Sequence, residues 1–304
     1  MKKIAIYGII LSIFVIITAC QHVDAVAQAA ARQAVISRDM ANMISISARA
    51  FGTVTEEITP EQEYYIGRAV AANILTTYKI WDGNPELTSY LNLICAALVI
   101  NSPQPSLFNG YQVAILDSNE INAFATSGGH IFITRGLVNV ARTEDALAGV
   151  IAHEVAHIQL QHSIKSIKSN RLTQAIMVTA TAGAGAMMGM DVNELVDVFN
   201  ESVGEIVHTM VGSGYSREQE YEADVAAMYL LALAGYQPSG LIDMLTELES
   251  AHTVSSGFGR THPTPGQRIY FAERAINRLD VADTSSSRQE RFINVLRIRV
   301  AGHQ

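Results

Sequence analysis

The sequence predicts an α+β fold, mainly helical with a small β-sheet, and three observations carry that prediction. Long segments repeat apolar residues at helical spacing behind well-formed caps, two short runs alternate as strands do, and both precede a helix bearing two histidines and a glutamate. Hydrophobic residues make up 49% of the 304-residue chain and charged residues 16%, which suits a core-forming domain. A net charge of −8 supplies no basic footprint, so no nucleic-acid partner is expected.

The elements follow in order. Lys2 and Lys3 precede the apolar run Ile4 to Ile17, which falls short of the roughly 20 residues that a membrane span needs. Ile17-Thr18-Ala19-Cys20 resembles a bacterial lipobox, so residues 1–19 read as a signal peptide removed before a lipidated Cys20. Gln21 rather than aspartate follows the cysteine, and the resemblance to Gram-negative lipoproteins then implies an outer-membrane anchor with the remaining chain facing the periplasm. With Cys20 lipidated, Cys95 has no partner in the chain for a disulfide and reads as a small core residue. Residues 20–58 read as a helical tether, because Asp24 to Arg49 is alanine-rich and lacks Gly and Pro, and residues 59–304 form the domain proper.

Thr59-Pro60-Glu61-Gln62 is a capping box with proline at the first helical position, opening a helix to about Tyr78. A second helix runs from about Pro85 to Val99. Tyr111 to Leu116 alternates as a strand, and His130 to Thr134 forms another after the turn at Gly128-Gly129. Thr173 to Met190 is uncharged and broken by Gly183, Gly185 and Gly189, which reads as a partly buried helical hairpin, with Asp191 to Met210 returning as a helix. Lys165, Lys168 and Arg171 read as a solvated face.

The chemistry is concentrated in VIAHEVAHIQLQH, Val150 to His162. Thr143 caps this helix, and Glu144 and Asp145 suit the positive end of its dipole. His153 and His157, four residues apart, project from one face about 6 Å apart along the axis, where one metal ion can take both. Glu154 lies about 100° round the helix, placed to act as general base on a water without taking a coordination position. This is the HExxH signature of metalloproteases. Two histidines and a carboxylate on an apolar segment would be costly to bury without a metal or other partners.

A catalytic zinc site needs a third protein ligand. YSREQEYEADVAAMYLLALAG, from Tyr215 to Gly235, is the best source, with Ser216 as helix cap. Glu220 and Asp224 share one face, and so do Glu218 and Glu222, so spacing alone leaves both pairs open.

HEVAH, SREQEYEAD and THPTPGQRI (Thr261 to Ile269), with NAFATSGGHIFITRGL (Asn122 to Leu137), resemble in order and spacing the signature blocks of the HtpX and CAAX-prenyl-protease family of zinc metallopeptidases. Among its members, the soluble periplasmic branch typified by BepA and LoiP is most similar. The resemblance spans about Thr59 to Arg278 and implies a zincin-type fold with one zinc ion held by His153, His157 and Glu220. Glu154 is the base, and Asp224 accepts the outer N–H of a ligating histidine. It further implies that the strand Ile131, Phe132, Ile133 and Thr134 is a sheet edge on which an extended substrate backbone pairs.

For His262 the resemblance implies an approach to the zinc, either to stabilise the oxyanion or to cover the metal at rest; a helix cap is the plainer alternative. His22, His130, His162, His208, His252 and His303 have no paired spacing and read as structural or surface residues. The expected activity is endopeptidase cleavage of misfolded or misassembled polypeptides of the cell envelope, with the envelope assembly machinery as a further partner. The rival reading is a lipid-anchored chaperone that keeps the zinc site and seldom cleaves.

Overall fold

The structure is a computed structural model that describes residues 59–166, 200–201, 203–251, 257–276, 279, 281 and 285–301. The signal peptide, Cys20, the tether, the hairpin at 173–190, most of the helix expected from Asp191, and Lys168 and Arg171 lie outside the described residues. Among the described residues no helix is long and apolar enough to cross a membrane.

The architecture is a small mixed sheet packed between helices. Helix α1 (Pro60–Thr77) opens on the expected capping box, with both reciprocal bonds between Thr59 and Gln62 present. Helix α2 (Pro85–Val99) starts where the Asn84 side chain accepts from the Leu87 N–H. Strands β1 (Gln112–Leu116), β2 (Ala123–Thr126) and β3 (His130–Thr134) follow, and then α3 (Arg135–Val140) leads to α4 (Glu144–Gln159). Gly128 and Gly129 make the turn between β2 and β3 with φ of 81° and 100°, and a Cβ on Gly129 would come within 2.1 Å of the Gly110 carbonyl.

The strand order is β1-β3-β2, with β1 parallel and β2 antiparallel to β3. This corrects the expectation for Ile131 to Thr134. That strand is central, both of its edges are occupied, and its backbone is spent inside the sheet. Strand β2 was not legible as a strand because AFAT is buried at every position and shows no alternation.

Each sheet face has its own core. Val113, Ile115, Ala123, Ala125, Ile131 and Ile133 pack with α2 and α4, whereas Leu116, Phe124 and Phe132 pack with Ile66, Val70 and Ile74 of α1 and with Val203 and Ile206. Cys95 is buried in the first core, as the sequence suggested, and burial pushes its thiol up to about 12. After the short α5 (His162–Lys165), a π-helical turn at His208–Ser213 leads to α6 (Arg217–Leu233). Helices α7 (Ser239–Ser250), α8 (Phe258–Thr261), α9 (Pro265–Ile276) and α10 (Ser285–Ala301) complete the described chain.

Helix α4 is the centre, buried at all 16 of its residues. Small residues let neighbours close on it: a Cβ on Gly149 would come within 2.8 Å of the Leu241 backbone in α7. Its buried N-terminal acids need partners, and distant elements supply them. Glu144 accepts from the hydroxyls of Tyr90 (2.8 Å) and Tyr236 (3.0 Å) and from Arg291 (2.6 Å), while Arg288 grips Asp145 through two contacts of 3.0 Å. The C-terminal helix is thereby tied to the start of α4.

Glu144→Ala should therefore cost about 3 kcal/mol of unfolding free energy, because it strands the buried hydroxyls of Tyr90 and Tyr236, each worth roughly 1–3 kcal/mol when unsatisfied, whereas the half-exposed Arg291 guanidinium turns to water. Denaturant unfolding measures this directly. A loss below about 1 kcal/mol, typical of an exposed ion pair, would contradict the clamp.

Candidate metal centre

Two capped helices bring the site together. The Thr143 side chain accepts from the Ala146 N–H at the start of α4, and Ser216 and Gln219 form a capping box at the start of α6. Both helices are thus fixed in register where they cross, and His153, Glu154, His157, Glu220 and Asp224 are all at most 2% exposed there.

The ring nitrogens His153 Nε2 and His157 Nε2 are 3.0 Å apart, and each lies 3.6 Å from a Glu220 carboxylate oxygen. With His262, the donor atoms all fall within 4.8 Å of one another. Ligands about 2.0 Å from a tetrahedral cation sit about 3.3 Å from each other, so the three donors fit one divalent ion. Glu154 Oε1 and Glu220 Oε1 are buried without a hydrogen-bond partner among the described residues, an expensive state unless a cation or a water fills the space between them. Of the two acidic pairs left open by spacing, Glu220 and Asp224 face the histidines.

The surroundings fix the rings. Asp224 Oδ1 lies 3.0 Å from His153 Nδ1, on the side away from the donor cluster. Arg268 reaches Asp224 through Nη2 (2.6 Å) and Nε (2.9 Å) and packs over the Phe258 ring. His262 stands on the loop after α8, its Nδ1 2.7 Å from Glu220 Oε2 and its ring stacked on Phe258 at 4.0 Å. It does not cap the helix that follows: the Thr264 carbonyl accepts there from the Gln267 and Arg268 N–H groups.

Electrostatics separate the two carboxylates nearest the donors. Burial works to raise Glu220, but His262, His153 and His157 around it outweigh burial and hold it well below the usual carboxylate range. Glu154 has weaker compensation, and burial pushes it up to about 7. Burial lowers His157, His162 and His262, keeping those rings neutral. His153 goes the other way: burial and Arg268 act to lower it, yet Asp224 and Glu220 raise it to about 9.

Four contributors escaped the sequence reading. Arg268 lay inside the THPTPGQRI block, and its signal was a charged residue between Pro265 and Ala272 on the inward face of α9. Phe258 supports both His262 and Arg268. Tyr215 stacks on His157 at 4.4 Å. His162, read as structural or surface, is fully buried against His157.

Beside β2, the Thr134 N–H donates to the Asn122 carbonyl at 3.1 Å, and antiparallel alternation from that bond turns the peptide groups of Ala123 and Ala125 away from β3. The Asn122 side chain lies 3.5 Å from Thr261, next to His262, so the start of this edge adjoins the metal centre.

Known proteins similar in sequence to this chain are metalloproteases by name. Metalloprotease LoiP of Escherichia coli is 26% identical over 270 residues, covering 88% of this chain and 94% of that protein. The beta-barrel assembly-enhancing protease of Yersinia pestis is 24% identical, over 84% of this chain and 51% of its own, and the mitochondrial metalloendopeptidase OMA1 of Schizosaccharomyces pombe is 25% identical, over 60% and 51%. The chain spans about half the length of the beta-barrel assembly-enhancing proteases from Vibrio cholerae and Yersinia pestis. Residues 85–276, from the start of α2 to the end of α9, match Peptidase family M48, and the chain belongs to that family of metallopeptidases.

Proposed function

We propose that this chain is a zinc-dependent endopeptidase of the bacterial cell envelope that cleaves misfolded or misassembled envelope proteins. One observation carries the reading: two imidazoles and a carboxylate converge from α4 and α6, and the neighbouring Glu154 keeps a buried oxygen without a hydrogen-bond partner among the described residues. His153, His157 and Glu220 would hold the zinc. When bound, zinc supplies a Lewis acid for the scissile carbonyl and lowers the pKa of a water to roughly 7.

The chain's own groups do the rest. Glu154, raised by burial to about 7, takes the proton of the attacking water and passes it to the departing amine, a cycle that suits a carboxyl group poised near neutrality. Asp224 holds His153 with Nε2 turned toward the donor cluster, and Arg268 holds Asp224. His262 is anchored by Glu220 at Nδ1 and by Phe258, so its Nε2 would occupy the position that water needs when the ring is neutral, and would donate to the developing oxyanion only when the ring is protonated. The Ala123 N–H is already taken by Asn122 Oδ1 at 3.0 Å, so an extended substrate along β2 would pair through the outward peptide group of Ala125, without regard to side-chain sequence.

His153→Ala, His157→Ala and Glu220→Ala should each lose the metal, whereas Glu154→Gln should keep it and lose turnover of an unfolded protein such as casein. Metal analysis and steady-state cleavage on the same samples check both halves. Full zinc occupancy in Glu220→Ala would overturn the ligand set, and zinc-loaded protein that never cleaves would favour the chaperone reading. In the same assay His262→Ala should retain zinc; an oxyanion donor loses on the order of 10²-fold in turnover, and a resting-state cover gains.

Ala125→Pro removes one outward N–H of β2, so KM should rise for extended peptides spanning the cleft while zinc content stays constant. Unchanged KM would remove β2 from substrate binding.

The name of the Yersinia pestis relative points to beta-barrel assembly, and we extend that setting to this chain, with lipidation at Cys20 and an outer-membrane anchor as the lipobox suggests. Residues 1–19 would be the signal peptide, 20–58 the tether and 59–304 the catalytic domain. Cys20→Ala should abolish palmitate labelling and release the protein from the outer membrane; labelling that survives the substitution would refute the anchor.

A further inference from the structure

We propose that His162 is a positioning residue which, together with Glu222, orients the metal-facing ring of His157. The proposal rests on the zinc reading above and adds to it a relay of its own.

His157 presents Nε2 to the donor cluster, 3.0 Å from His153 Nε2 and 3.6 Å from Glu220 Oε1. Its other nitrogen, Nδ1, points the opposite way and lies 2.9 Å from Nδ1 of His162. Two ring nitrogens at that distance share a single hydrogen. If His157 gives the Nε2 lone pair to the metal, its neutral ring must carry the hydrogen on Nδ1, so His157 donates and His162 Nδ1 accepts. The neutral His162 then carries its own hydrogen on Nε2, and that nitrogen faces Glu222 Oε2 at 3.4 Å. One proton assignment satisfies every link, running from carboxylate to His162 to His157 to the donor cluster.

The fold supplies this geometry at a local cost. Gln161, between α4 and α5, has φ of 57° and is the only non-glycine with positive φ among the described residues. A left-handed conformation is unfavourable for a residue with a Cβ, and here it ends α4 and turns His162 back under His157. The Gln161 side chain is held in turn, donating to Glu63 Oε1 at 2.6 Å. His162 has no exposed surface, and the Glu222 side chain is 31% exposed. The carboxylate can thus be altered with little disturbance to packing.

The relay also completes a pattern on α6. Glu220 faces the donor cluster, Asp224 serves the outer nitrogen of His153 directly, and Glu222 serves that of His157 through His162. One helix, with acids at alternate positions, thereby sets the orientation of both histidines on its neighbour.

The test compares four variants of the full mature protein with wild type, reading zinc affinity and zinc release by competition with a chromogenic chelator, and the melting temperature of the metal-free form. His162→Phe keeps the volume and removes the acceptor; His162→Asn places an amide oxygen close to where Nδ1 stood. Loss of a partner behind a metal-binding histidine typically costs on the order of 10- to 100-fold in affinity, so the Phe variant should lose that much and the Asn variant should recover most of it. Glu222→Ala should lose affinity in the same direction by less, and Glu222→Gln, which still accepts a hydrogen bond, should restore it. Wild-type affinity in His162→Phe, or equal losses in the Phe and Asn variants, would overturn the relay and leave packing as the role of His162. If His162→Phe does not fold, the Glu222 pair decides alone: equal affinities in the Ala and Gln variants would overturn the proposal. A wild-type protein that binds no zinc would defeat the metal reading itself, whereas tight wild-type binding with unaltered variants would defeat only the relay.

Discussion

Burying a polar helix is the constraint on which the rest of the structure depends. Helix α4 has no face left for solvent, yet it carries Glu144, Asp145, His153, Glu154, His157 and Gln159. A buried polar group without a partner costs a few kcal/mol and a buried charge far more, so each of these side chains dictates what must surround it. Tyr90, Tyr236 and Arg291 come to Glu144, Arg288 comes to Asp145, and Ser102 and Tyr111 receive the Gln159 amide at 2.9 and 3.0 Å. Elements far apart in sequence converge on one helix because that helix could not otherwise be buried.

The same requirement explains why the middle of the helix can hold a metal centre. Its N-terminal acids and the Gln159 amide nitrogen are satisfied by protein groups, and pairing stays incomplete at the Gln159 oxygen and, at the donor cluster, in the central turn. Glu154 and Glu220 each keep a buried oxygen without a hydrogen-bond partner among the described residues. Rigid satisfaction on either side keeps those oxygens from relaxing toward other partners. The unmet demand is therefore preorganised, as a metal site and a general base require.

Legibility in the sequence followed the range of the interactions. Caps at Thr59, Thr143 and Ser216 act within three residues, and the starts of α1, α4 and α6 could be placed from them. The i,i+4 spacing of His153 and His157 is equally local. Strand order is not: β1 and β3 pair in parallel with β2 between them in the chain, so the central position of β3 depends on packing against α1 and α4 rather than on its own residues. Arg268 and Arg288 were hidden for a related reason. Each turns inward on its helix to meet an aspartate, and a pattern search that expects apolar residues on the inward face discards them. His162 failed the test of paired spacing because its partner is a histidine five residues earlier, reached only through the left-handed turn at Gln161.

Charge balance at the centre shows how the fold can persist with and without a cation. Glu220 and Asp224 are ionised beside a single guanidinium, Arg268, so the buried site carries surplus negative charge unless something compensates it. Against burial and Arg268, Asp224 and Glu220 lift the pKa of His153 to about 9, which favours a compensating proton on that ring. A divalent ion needs that same Nε2 lone pair and brings the charge that the proton had supplied. On the proposed ligand set, proton and metal would be alternative counter-charges for one set of acids, and metal uptake near neutral pH would release a proton from His153. The raised pKa has its sign from this exchange: acidification strengthens the proton's hold and weakens the metal's, while Asp224 keeps the ring in the same place in either state.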